Sequence, residues 1–200
     1  MLSSAASDVY KRQFQMYREQ GLEIDKTIAG LLCSAIISDT LMFRSPTCTS
    51  IDRMAAEKLS EICGVEIEEF AIDMFSAGSD MSSRTPKEIF NQDKKKFQVG
   101  DHSFIVAQIN SMNAIELEEV KEKLVPYLSE RFEGLGVEMC FVMLTNIVKE
   151  DTELLCFGEK AKDVARSAFQ LSPDMEHIVL KGLVSRKKQL IPSIVTVLQQ

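Results

Sequence analysis

The segment Asp25–Asp39, DKTIAGLLCSAIISD, limits the possible folds more than any other, because it is apolar nearly all round. A helix with no polar face has to be covered on every side. Its longest apolar run, Ile28–Ile37, is interrupted by Ser34 and falls short of the roughly 18 residues that cross a bilayer. The segment therefore reads as a buried helix of a globular protein, with no membrane partner. It runs toward Ser38–Phe43 and is broken at Ser45-Pro46-Thr47.

Punctuation residues place the neighbouring elements. Phe14–Gln20 reads as the end of a helix closed by Gly21. Thr49 or Ser50 caps a helix through Cys63, with Ile51, Met54, Ala55, Leu59 and Ile62 at helical spacing and Gly64 as its stop. Val65–Ser76 reads as another short helix. The small polar stretch Ala77–Thr85 then marks a boundary, with a linker at 79–84 between a helical part, 14–78, and a second domain, 85–200.

The second domain opens on Thr85-Pro86-Lys87-Glu88, a capping box with proline at the first helical position. Lys95–Val99 and Ser103–Asn110 flank Gly100-Asp101, a hairpin signal. Ile115–Phe132 has helical periodicity with a kink expected near Pro126. Val137–Ile147, Glu153–Phe157 and His177–Leu183 read as strands, and Glu159–Phe169 and Leu190–Leu198 as helices. Such alternation predicts an α/β fold. Residues 1–13 are set apart, because Ser3–Gln13, SSAASDVYKRQ, resembles the translated end of a sequencing-library adapter.

The formal net charge of -7 argues against general nucleic-acid binding. An anionic ligand would need a local basic cluster or a metal. The five cysteines (Cys33, Cys48, Cys63, Cys140, Cys156) have no metal-type spacing and read as buried free thiols of a reducing cytoplasm. The two histidines, His102 and His177, are too few to supply a metallohydrolase centre from this chain alone.

Three places are odd for pure structure. Asp39 ends an apolar helix, where the helix dipole disfavours an anion. It is either a cap of the following turn or a cation ligand. Ser185-Arg186-Lys187-Lys188-Gln189 puts three adjacent cations between two apolar runs. It is either a solvated turn or an anion site, since arginine grips two phosphate oxygens at once. Asp93-Lys94-Lys95-Lys96-Phe97, at the mouth of the hairpin, is on its own a solvated charge run.

Longer stretches change that balance. Ile28–Val65, with ISDTLMFRSPT inside it, is similar to the last part of the DHH phosphoesterase domain of family II, manganese-dependent inorganic pyrophosphatases. AIDMFSAGSD resembles their linker, and KEIFNQDKKKF, AQINSMN and VSRKKQLIP resemble their C-terminal DHH-associated domain. The resemblance covers residues 14–200 and implies the end of a DHH domain followed by an α/β domain with a mixed sheet. FRSPTCT and QINSMN look closest to members that carry CBS domains, which adenine nucleotides regulate.

The resemblance implies hydrolysis of pyrophosphate by a metal-activated hydroxide, with manganese as the metal and cobalt or magnesium as substitutes. It also implies a homodimer at full length. Carried over by residue, Asp39 is the family's late metal-binding aspartate. Lys95 is the phosphate-binding lysine of a D-x-K-x-F motif, Arg186 and Lys187 are the pair on the terminal phosphate, and Ser185 is a weaker contact. The family's other metal ligands have no counterpart in residues 14–200, which makes this chain an inactive truncation. Exopolyphosphatase activity and non-catalytic anion binding are the alternatives.

Overall fold

The computed structural model describes residues 5–78, 81 and 83–199. It divides into two compact units, Met1–Gly78 and Ser79–Gln200. Residues 79, 80 and 82 of the expected linker 79–84 lie outside the described residues.

The described part of the first unit is helical: α1 (Ala5–Glu19), α2 (Lys26–Asp39), α3 (Ser50–Cys63) and α4 (Ile67–Gly78). The Asp25 carboxylate starts α2 by accepting from the Thr27 and Ile28 amides. Ala29, Leu32, Cys33, Ile36 and Ile37 of α2 are buried against Phe14, Ala55, Ala56, Leu59 and Ala71. Thr49 settles the start of α3, where its hydroxyl and the Asp52 carboxylate form a reciprocal capping box. Residues 5–13, set apart on sequence, form the first turns of α1, and Tyr10 packs on the core.

The structure corrects the expected run of helix into Ser38–Phe43. α2 stops at Asp39, and Leu41, Met42 and Phe43 all adopt positive φ, from 49° to 64°. The Thr40 hydroxyl is the local cause. It donates to the Ile36 carbonyl at 2.7 Å and accepts from the Phe43 amide at 3.2 Å, closing a tight turn in place of another helical one.

The second unit begins with α5 (Pro86–Gln92), capped as expected by Thr85 and Glu88. A five-stranded sheet follows: β1 (Lys94–Val99), β2 (His102–Ser111), β3 (Met139–Asn146), β4 (Asp151–Phe157) and β5 (Ile178–Lys181). The strands lie side by side in chain order. β2 and β3 are parallel and the other pairs antiparallel, so the sheet is mixed. The parallel pair needs a long crossover, which α6 (Ala114–Arg131) provides, running through Pro126. All eight residues of the central strand β3 are buried.

Each sheet face carries its own core. On one face, Ile89 and Phe90 of α5 and Leu117, Val120, Leu124 and Leu128 of α6 cover Ile105, Ala107 and Val142. On the other, α7 (Ala161–Phe169) and α8 (Ile191–Leu198) cover Phe104, Val106, Phe141 and Met143. Helix begins before the expected Leu190, because a π-helical turn, Arg186–Leu190, runs directly into α8.

Gly158, between β4 and α7, has φ +102°. A Cβ there would fall on the Glu138 carbonyl oxygen and the Phe132 ring. Gly158→Ala should destabilise this unit by roughly 1–3 kcal/mol, seen as a lower midpoint of thermal unfolding. An unchanged midpoint would show that the turn rearranges freely.

Candidate anion-binding site and the Asp39 carboxylate

The two basic segments that are far apart in sequence meet in the second unit. Arg186 is buried at 9% exposure, unusual for a cation. One terminal nitrogen, Nη1, donates to the Asp93 carbonyl at 2.8 Å and to the Val106 carbonyl at 3.3 Å. The other, Nη2, donates to the Asp93 carboxylate at 2.8 Å. The guanidinium thus ties the π-helical turn to the start of β1 and the middle of β2.

Strand alternation sorts the three lysines of β1. Phe97 and Val99 pack on the core beneath α7 and α8, so Lys95 is on that same face, the face that carries Arg186. Lys95 pairs in register with Val106, whose carbonyl receives Arg186. Lys94 instead lies 5.0 Å from the centre of the Phe90 ring, on the α5 side, and Lys96 donates to the Gly136 carbonyl at 3.1 Å. Lys95, Lys187 and Lys188 are exposed.

The loop before the π-helical turn is held by two glutamines that sequence reasoning gave no role. Gln189 Oε1 accepts from the Val184 and Ser185 amides at 3.0 and 2.9 Å, and its Nε2 donates to the Gly182 carbonyl at 2.6 Å. Gln108 Nε2 donates to the Val184 carbonyl and to Asn110 Oδ1, each at 3.0 Å. Ser185 caps the turn, its hydroxyl accepting from the Lys188 amide at 3.3 Å. Arg186, with the exposed Lys187 next to it in sequence and the exposed Lys95 on the same sheet face, is a set of cations that suits a multiply charged anion. Both glutamines stand inside segments already marked, AQINSMN and SRKKQ, but neither type signals a loop brace without coordinates.

Asp39 belongs to the first unit. Its Oδ2 is buried with no hydrogen-bond partner. Burial, and then the nearby Asp52 carboxylate, raise the pKa of Asp39 above the ordinary carboxylate value. The turn bonds that a cap would make are made by others: the Ser45 amide donates to the Thr40 carbonyl, and the Thr47 amide to Ser45 Oγ. A buried, unbonded carboxylate oxygen fits a cation ligand. Among the described residues no group of three histidines, cysteines, aspartates or glutamates is placed to hold a metal.

The histidines stand elsewhere. His102 Nδ1 is 2.7 Å from Glu138, which Lys160 also contacts at 3.1 Å, and these partners hold the Glu138 carboxyl below its usual range. His177 is exposed, 3.5 Å from Glu153. The described cysteines are free thiols, and no helix among the described residues is long and apolar enough to cross a membrane.

Comparison with known proteins gives the chain its family. The sequence profile of the DHHA2 domain matches residues 72–197, and the chain belongs to that family. A manganese-dependent inorganic pyrophosphatase from Bacillus subtilis is 38% identical over 178 residues, 89% of this chain and 57% of that protein. A cobalt-dependent inorganic pyrophosphatase from Clostridium perfringens is 38% identical over 197 residues, 98% of this chain and 35% of that protein. The crystal structure of a Methanococcus jannaschii protein, assigned to the family II inorganic pyrophosphatases, superposes with a TM-score of 0.81 at 32% identity. It covers 96% of this chain and 64% of the archaeal one. The chain therefore spans less than two thirds of each of these relatives.

The Asp39 environment has a thermodynamic consequence. The folded chain holds this proton more tightly than the unfolded chain, so ionisation costs stability as pH rises above the ordinary value of 3.8. In metal-free buffer, Asp39→Asn should raise the unfolding midpoint at neutral pH. The gain should vanish below that ordinary value, where both states are protonated. A lower midpoint for Asp39→Asn at neutral pH would mean that the carboxylate is a satisfied structural group.

Proposed function

We propose that this chain is the substrate-gripping and late metal-binding part of an inorganic pyrophosphatase, which hydrolyses diphosphate to two phosphates. The observation that carries the reading is the convergence of Lys95 and Arg186 on one sheet face, both at Val106, with Lys187 next along the chain. The pyrophosphatase relatives, similar over most of the chain, give the anion its identity.

Pyrophosphate carries several negative charges near neutral pH, and its binding needs fixed cations in place before it arrives. Arg186 and Lys187 would take the terminal phosphate, Lys95 a second oxygen set, and Ser185 a weaker contact. Asp39 would be one ligand of manganese, with cobalt as the alternative that the Clostridium relative's name supports and magnesium as a further substitute. Divalent metal supplies charge neutralisation when bound. For these 200 residues alone, anion binding without turnover is the reading, because among the described residues no three metal-ligating side chains are grouped to hold an ion. Regulation by adenine nucleotides through CBS domains in a longer protein is a further part of the proposal. The matching stretch is only 35% of the Clostridium relative against 57% of the Bacillus one, which leaves room there for additional domains.

The test is made in an active, longer protein that carries these residues, with manganese present. Arg186→Lys keeps the charge but loses the planar fork and its three carbonyl and carboxylate contacts. It should lower kcat/KM for pyrophosphate by about tenfold to a hundredfold, the range of a charge-assisted contact. Lys188→Ala, an exposed neighbour of equal charge, should cost less. Equal losses would leave only a general positive potential, and undiminished activity of Arg186→Lys would remove the clamp altogether.

A further inference from the structure

We infer that Asp93 is a positioning residue for Arg186, the group that aims this guanidinium at the bound anion. The inference rests on the anion-site reading above. Asp93 is the only acidic side chain that Arg186 contacts among the described residues. It meets the guanidinium twice, through its carbonyl to Nη1 and its carboxylate to Nη2, both at 2.8 Å. The Asp93 carbonyl also accepts from the Gln108 amide at 3.1 Å. A single residue therefore fixes the arginine and the strand that carries the loop-bracing glutamine. Two positions further along is Lys95, on the face of the sheet that holds Arg186. The Asp93 side chain is 47% exposed while that of Arg186 is 10% exposed, so the carboxylate sits at the rim and the arginine beneath it.

The sign of the effect separates this role from simple electrostatics. A carboxylate beside an anion site repels the anion, so if charge alone mattered, its removal would tighten binding. If it orients the arginine, its removal weakens binding, because the freed Nη2 must find another partner and the fork loses its direction. Oxygen at the Oδ1 position matters in the second case and charge does not. Asp93→Asn keeps that acceptor and Asp93→Ala does not.

The experiment titrates inorganic pyrophosphate into the 200-residue chain by calorimetry at fixed ionic strength, with thermal unfolding as the fold control. Asp93→Ala should weaken binding about tenfold, the effect of one charge-assisted contact, and Asp93→Asn by only a few-fold. The double variant Asp93→Ala/Arg186→Ala should bind no worse than Arg186→Ala, since Asp93 acts through that arginine. If Asp93→Ala does not fold, Asp93→Ser, whose oxygen falls short of Nη2, takes its place with the same expectation. Unchanged or tighter binding by Asp93→Ala, or losses that add in the double variant, would overturn the inference while the anion site stands. No binding by the unmodified chain, or no loss with Arg186→Ala, would sink the anion-site reading and this inference with it.

Discussion

The second unit depends on one buried cation. Arg186 joins the C-terminal helical segment to two strands through three acceptors, the Asp93 carbonyl and carboxylate and the Val106 carbonyl. A guanidinium at 9% exposure is tolerable only when most of its donors are met, because each unmet charged donor costs several times what a surface bond gains. This single constraint explains the local backbone. The chain leaves β5 at Lys181, turns at Gly182, and must present position 186 to Val106 before α8 can pack Leu190 and Ile194 on the sheet. A π-helical turn with a Ser185 cap accomplishes this without breaking the helix that follows.

A mixed sheet makes the rest of the arrangement possible. Because β2 and β3 are parallel, their carboxyl ends, Ser111 and Asn146, lie at the same edge. Gln108 and Asn110 approach that edge on the face of Arg186, and Gln108 braces Val184 directly. Ligands of α/β proteins commonly bind outside the carboxyl ends of parallel strands, where loops converge on a rigid sheet. β1, an edge strand, spends Lys94 and Lys96 on the opposite face and carries Lys95 on the face of the basic turn. An edge strand rich in lysine also resists pairing with other chains, so one composition serves both needs.

Much of this was legible in the sequence, and the exceptions have physical reasons. The cap at Thr85 and Glu88, the start of α3 to within Thr49 or Ser50, and the Gly100-Asp101 turn were legible because short-range hydrogen bonds and backbone sterics fix them. The end of α2 was not, since the turn after Asp39 rests on the Thr40 hydroxyl and three residues in left-handed conformation, Leu41, Met42 and Phe43, which no propensity favours. Lys95 and Arg186 were marked by their resemblance to a known family, but their meeting at Val106 is a contact across 80 residues and more that periodicity cannot show. Asp93 stands in the sequence as the first residue of the charge run and of the D-x-K-x-F motif, without a role of its own, because that role exists only once Arg186 is folded against it.

On the proposed function, residues 93–97 and 184–189 make one anion site. The most direct measurement follows backbone amide resonances of the isotopically labelled chain as pyrophosphate is added. The largest shifts should cluster at Lys95, Ser185, Arg186 and Lys187, with Gln108 and Gln189 following, and should saturate together with one affinity. Shifts centred elsewhere, at His177 and Glu153 for example, or small unsaturated shifts spread over all lysines, would contradict it.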